Sequence, residues 1–133
     1  MTNAPWLDEP TALDGIHNWV PYALRRKGRD DVWLGYVWVP HGHPWHSKDT
    51  SDLLDINVHG GITFSRERLF FKHFLFELNG SSGLKDGWWV GFDCGHPGDF
   101  IPSQQEMFSD GTYRTMGYAA AEVKRLCTQA ANA

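Results

Sequence analysis

The sequence predicts an α+β fold: a single-domain antiparallel β-sheet with one C-terminal helix packed across it. Two observations carry this. Short β-rich runs with period-two alternation follow one another up to residue 94, and the one long helical stripe comes last. A chain of 133 residues, 41% apolar and 14% aromatic, is also the right size for one well-formed core.

Residues 1–15 carry Pro5, Pro10 and Gly15 and read as an irregular N-terminal arm anchored by Trp6. The single domain then spans 16–133. Runs 17–24 and 32–39 flank a charged stretch, Arg25-Arg26-Lys27-Gly28-Arg29-Asp30-Asp31, and read as a hairpin with a solvated tip. Run 32–39 is apolar at both parities, as in a central strand covered on both faces. Residues 40–55 form a long loop with a helical turn near 48–54. Residues 56–64 alternate, with Ile56, Val58, Ile62 and Phe64 on one face and Asn57, His59, Gly61 and Thr63 on the other. A Phe-rich strand is expected at 69–78, a turn at 79–83, and a strand at 88–94 with Val90, Phe92 and Cys94 facing the core. The helix is expected over 115–130, with Thr115 as N-cap and a stripe of Met116, Ala120, Val123, Cys127 and Ala130.

The formal net charge of -4 disfavours sequence-independent nucleic-acid binding. No segment has the length of a membrane span, and the first residues lack a secretory pattern. Two cysteines without a Cys-x-x-Cys partner fit reduced thiols in a cytoplasmic protein. Cys94, on the core parity, reads as an inert thiol. Asp49, Asp52 and Asp55 read as solvated or helix-starting acids. No Gly-x-Ser-x-Gly elbow supports a serine hydrolase.

Chemistry concentrates in two loops. His41, His43 and His46 lie in one. His41 and His43 share a direction on extended backbone and offer a metal pair, although loop histidines also serve as plain hydrogen-bonding residues. Asp93-x-x-His96-x-x-Asp99 follows the end of a strand, where an imidazole and carboxylates can act as base and orienting group, or simply hold a turn. His59-Gly60-Gly61 puts two glycines beside a histidine, leaving room for a ligand or marking a bulge. If 56–64 and 88–94 are neighbours, His59 and Asp93 project to one side.

The motifs Gly42-His43-Pro44, Val58-His59-Gly60-Gly61-Ile62-Thr63 and Trp89-Val90-Gly91-Phe92-Asp93-Cys94-Gly95-His96-Pro97-Gly98-Asp99 resemble a family of small proteins encoded by bacteriophages and mobile elements. The likeness covers about residues 33–128 and matches His43, His59, Asp93, Cys94, His96 and Asp99. It implies a context, the cytoplasm of an infected bacterium, rather than a reaction. His41 and His46 fall outside the pattern. Segment 66–78 is longer than the family's connection and suits self-association, as in a homodimer.

The expected function is a His/Asp small-molecule site that hydrolyses a nucleotide or other phosphorylated ligand, with a divalent metal such as zinc assisting. His59, Asp93, His96 and Asp99 are the candidate catalytic residues. His43, Gly60, Gly61, Trp38, Trp45 and Trp89 are the candidate ligand contacts. His43, His59 and His96 are the candidate metal ligands. The alternative is a non-enzymatic phage factor that sequesters a host signalling nucleotide or binds a host protein. The residues alone leave open whether the protein is an enzyme.

Overall fold

The computed structural model describes residues 4–69, 87–104 and 110–133. Among these residues, five strands, β1 (Ala12–His17), β2 (Val20–Arg25), β3 (Leu34–Val39), β4 (Phe64–Arg66) and β5 (Trp88–Asp93), form one sheet in the order β1-β2-β3-β5-β4. Every pairing is antiparallel. Helix α1 (Met116–Ala131) comes last and packs across β2 and β3. The architecture is the expected one: an α+β domain whose C-terminal helix lies on its sheet. Among the described residues, no helix is long and apolar enough to cross a membrane.

Strand alternation divides the core between the two sheet faces. Leu24, Val37, Val39, Val90 and Phe92 face α1 and meet Val123, Leu126 and Cys127. Ala23, Tyr36, Trp89 and Leu69 form a second cluster, flanked by Trp38 and Phe64. The middle strand, β3, serves both clusters, which is why its sequence is apolar at both parities. Thr115 caps α1: its Oγ1 accepts the Tyr118 amide at 3.1 Å, a contact typically worth about 1 kcal/mol. The buried helix face adds Ala119 and Leu126 to the expected stripe, and Met116 and Ala120 lie at its half-buried margin. A 3-10 turn at Thr50–Asp52 falls inside the expected helical stretch.

Three local readings need correction. The expected pairing of 17–24 with 32–39 is present in β2 and β3, but residues 12–15 belong to β1 and not to an irregular arm, which adds an unexpected hairpin. Its two-residue turn, Asn18-Trp19, has φ of 49° and 68°. Positive φ at both positions is what a tight hairpin needs, but tryptophan gives no such signal.

The basic cluster is not a solvated tip. Arg25 and Arg26 are each only 3% exposed. Arg25 makes a two-pronged ion pair with Asp14 across the β1–β2 register. Arg26 donates to the carbonyls of Trp6, Glu9, Pro10 and Arg29 and lies over the Trp33 ring. A guanidinium tolerates burial when its donors are satisfied in this way. Arg26 thus ties down the N-terminal arm, where Trp6 also packs on Phe100 and Tyr113.

The strand expected at 56–64 is mostly loop. Gly60 and Gly61 take φ of +69° and +79° and turn the chain. Pairing with β5 begins at Thr63, whose amide donates to the Gly91 carbonyl at 2.9 Å. The turn resets the alternation. Ile56, Val58 and Ile62 stay in the helix-side core, while Phe64 moves to the opposite face. The expected elements at 69–78 and 79–83 fall outside the described residues after Leu69.

Candidate functional site

The site forms where the end of β5 meets the His59 loop and the first turns of α1. After Asp93, the chain turns through His96 and returns at Asp99, whose amide donates to the His96 carbonyl at 2.9 Å. Asp99 is then held by a parallel bridge to Thr112, and it is 1% exposed. Its Oδ1 accepts Arg114 Nε at 2.7 Å. Its Oδ2 accepts the His96 amide at 3.0 Å and His59 Nε2 at 2.7 Å. Burial alone pushes this carboxyl up. The hydrogen bonds from Arg114, His59 and the His96 amide outweigh it and hold Asp99 below its ordinary value.

That carboxylate sets the state of His59. An ionised carboxylate only accepts hydrogen bonds, so Nε2 carries the ring proton in the neutral imidazole. Nδ1 is then the acceptor, and it lies 2.8 Å from the Tyr118 hydroxyl. Burial, and then the charge of Glu122, raise the Tyr118 phenol above its ordinary value, so it remains a donor. The result is a directed chain: Tyr118 donates to His59, His59 donates to Asp99, and Arg114 donates to Asp99 from the other side. The Arg114 guanidinium also lies 4.9 Å from the Tyr118 ring centroid.

The loop that carries His59 is clipped to one face of α1. The His59 amide donates to Glu122 Oε1 at 2.8 Å, and Arg125 donates to Glu122 Oε2 at 2.9 Å. Arg125 and Gln129 both donate to the Asn57 carbonyl. Positions 118, 122, 125 and 129 follow the four- and three-residue steps that share a helical face. His59 therefore has little freedom of position.

A second imidazole–carboxylate pair sits beside the first. His96 Nε2 lies 3.2 Å from Asp93 Oδ1, close enough for an ion pair when the ring is protonated but off the direction of a hydrogen bond. Asp93 is fixed by the Gly95 amide at 2.9 Å and the Thr63 hydroxyl at 3.0 Å. The His96 ring lies directly over Gly60, where any Cβ would overlap it. The His59 and His96 ring centroids are 6.0 Å apart.

The structure thus brings His59, Asp93, His96 and Asp99 together, with Gly60 beneath His96 and Gly61 beside open space. His43 is elsewhere. Its Nδ1 accepts the Trp45 amide at 3.0 Å and its Nε2 donates to the Ala130 carbonyl at 2.8 Å, closing the far end of α1. At 1.5 Å per residue, Ala130 is roughly 18 Å along the helix from Tyr118. His43, His59 and His96 therefore do not share a zinc centre. Among the described residues, no three His, Cys, Asp or Glu side chains are placed to hold a metal ion.

The structure does not bring the three tryptophans to this site: two are buried in the core and Trp38 is half-buried at its margin. Trp45 is 8% and Trp89 1% exposed, in opposite core clusters. Trp38 packs against Gly87 and the second cluster. None presents a ring face beside His59. Cys94 is buried as expected, its thiol pushed up to about 12 by burial and then by the charges of Asp99 and Asp93.

Arg114, Tyr118 and Glu122 were not legible as site residues. All three come from the last turn and helix, far in sequence from the histidine loops. The one available signal was Glu122, an acid next to the apolar stripe yet only 7% exposed. Comparison of the chain with protein-family models, with curated proteins and with solved structures gave no match.

Proposed function

We propose that the protein acts on a small anionic ligand, a nucleotide or other phosphorylated molecule, by general acid–base chemistry centred on His59. The observation that carries this is the directed chain Tyr118–His59–Asp99, with a buried ionised carboxylate at one end and a half-buried hydroxyl at the other. Asp99 fixes the tautomer and steadies the imidazolium that forms when His59 takes a proton. Tyr118 is the group that meets the ligand and passes its proton to His59. Arg114 and His96, each with a side chain 28% exposed, face the ligand's negative charge. In hydrolysis, attacking water gives its proton to the Tyr118–His59 pair, and the His96–Asp93 pair protonates the leaving oxygen. No protein-held metal enters this scheme. The phage-family resemblance supports an infected cell's cytoplasm as the setting.

The test is a panel of nucleotides and sugar phosphates scored for phosphate release, with His59→Gln and Tyr118→Phe as controls. Loss of turnover by about 10²–10⁴-fold in both variants, at unchanged circular dichroism, supports the scheme. Equal turnover in the variants, or none in the parent, sinks it.

Binding of a host protein is the second function that a specific feature favours. Ile16 is 69% and Trp19 95% exposed at the β1–β2 end of the sheet, where large apolar side chains suit an interface. Trp19→Ala would abolish such binding and leave ligand turnover intact.

A further inference from the structure

A second cleft lies on the outer side of α1, away from the core. It is lined by His17, Asn57, Lys124, Arg125, Thr128 and Gln129 and has a volume of about 440 Å³. That is within the range of small-molecule sites. We infer that this cleft binds the phosphate or pyrophosphate group of a small molecule.

Charge is the first argument. The lining carries Lys124, Arg125 and His17 and no carboxylate, in a chain whose net charge is -4. These groups come from two places in the fold, the end of β1 and two turns of α1, so their convergence is a product of folding. Among the described residues, neither the Lys124 ammonium nor the His17 ring has a hydrogen-bond or ion-pair partner.

Preorganisation is the second argument. Arg125 is held by Glu122 Oε2 and the Asn57 carbonyl, each at 2.9 Å. Gln129 is fixed on the same carbonyl at 2.8 Å, and Thr128 Oγ1 accepts Asn18 Nδ2 at 2.7 Å. Glu122, the acid paired with Arg125, is turned toward the His59 amide and is 7% exposed, and it does not line the cleft. Arg125 keeps N–H groups beyond those two bonds, so a bound anion meets a guanidinium that is already positioned and loses little side-chain entropy on its account. The cations Lys124 and Arg125, with the His17 ring beside them, match one or two phosphates. An extended nucleic-acid backbone needs a longer basic track.

The experiment is an amide-resolved NMR titration of the whole protein with inorganic phosphate, then pyrophosphate, then ADP. Saturable shifts are expected at His17, Asn57 and the α1 residues from Ala121 to Gln129, tightening from phosphate to pyrophosphate. Lys124→Glu, on an exposed side chain, should weaken pyrophosphate binding at least tenfold with the helical spectrum intact. Arg125→Lys, which keeps a cation beside Glu122, should weaken it less. Absent or non-saturating shifts overturn the assignment, as does a Lys124→Glu titration identical to the parent's. A short single-stranded oligonucleotide binding more tightly than pyrophosphate also overturns it, in favour of a nucleic-acid surface.

Discussion

His59 Nε2 and Asp99 Oδ2, forty residues apart in the chain, lie 2.7 Å from each other. Asp99 cannot turn to water, because Arg114 and the His96 amide hold it in place. His59 cannot turn either, because its own amide is bound by Glu122 and its Nδ1 by Tyr118. A hydrogen bond fixed at both ends sets a tautomer, and that can be measured.

In its neutral form, His59 should appear by ring nitrogen NMR as the Nε2–H tautomer. Tyr118→Phe removes the donor to Nδ1 and should leave that tautomer in place. Asp99→Asn replaces the charged acceptor with an amide and should release the ring to a mixture. A dominant Nδ1–H form in the parent protein would reverse the proposed direction of the chain.

Acid should unfold the protein partly through Asp99. Its folded value lies below the ordinary one, so its contribution to stability is fully present above the unfolded carboxyl range near pH 4. That contribution is lost as pH falls through the lower folded value. Asp99→Asn leaves Arg114 and His59 without their anion and should cost about 3–5 kcal/mol at pH 7. Denaturant titrations should show the gap between parent and variant narrowing below about pH 4. A gap that stays constant or widens in acid contradicts this account.

What could be read in advance follows from how far each signal reaches along the chain. The helix was legible because Thr115, Val123, Cys127 and Ala130 encode it within one segment. The β5 faces were legible because Val90 and Phe92 alternate against Trp89. Pairing 56–64 with 88–94 put His59 on the same side as Asp93; β4 does pair with β5, but only from Phe64, and the carboxylate that binds His59 is Asp99, which lies beyond the strand. The Asn18-Trp19 turn was hidden because its residue types do not advertise positive φ. Arg25 and Arg26 looked solvated because their partners, Asp14 and the carbonyls of the arm, are tertiary contacts. Tyr118 was hidden for the same reason: nothing on the helix says which loop will land on it.

Gly60 and Gly61 should respond differently to alanine. Both have positive φ, so each substitution carries backbone strain of roughly 1–2 kcal/mol. At Gly61 that is the whole cost, because its Cβ would enter open space. At Gly60 the methyl collides with the His96 ring and must displace it from Asp93. Gly60→Ala should therefore be the less stable variant in urea unfolding, and it alone should shift the His96 ring resonances. Equal losses would mean that His96 does not rest on that glycine.

Both thiols should be inert in the folded state. Cys94 is 1% and Cys127 0% exposed, and burial pushes each up to about 12. Only the thiolate attacks a disulfide reagent, so labelling at pH 8 should be orders of magnitude slower than for a free thiol. Denaturant should release two equivalents of reactive thiol per chain, the two cysteines of the sequence. Rapid native labelling of either residue would place it in a more open environment than the core.

Stability should also depend on Glu9, a residue of the N-terminal arm. Its Oε1 accepts the Tyr113 hydroxyl and Trp33 Nε1, and its Oε2 accepts the Met116 amide at 2.8 Å. That amide is one of the unpaired donors at the start of α1, where a negative charge is also favoured by the helix dipole. Glu9→Gln keeps the shape and loses the charge, and should cost less than Glu9→Ala. The alanine variant leaves the Tyr113, Trp33 and Met116 donors without an acceptor, a loss of roughly 1–3 kcal/mol for each one that stays dry. Arg26 gives the contact a second consequence, because it binds the Glu9 carbonyl as well as those of Trp6 and Pro10. Once the carboxylate is gone, the arm should loosen as a unit, and amide exchange should accelerate at both Trp6 and Met116. If Glu9→Ala matches the parent in urea and in exchange at Met116, the arm contributes nothing to the helix and the cap is incidental.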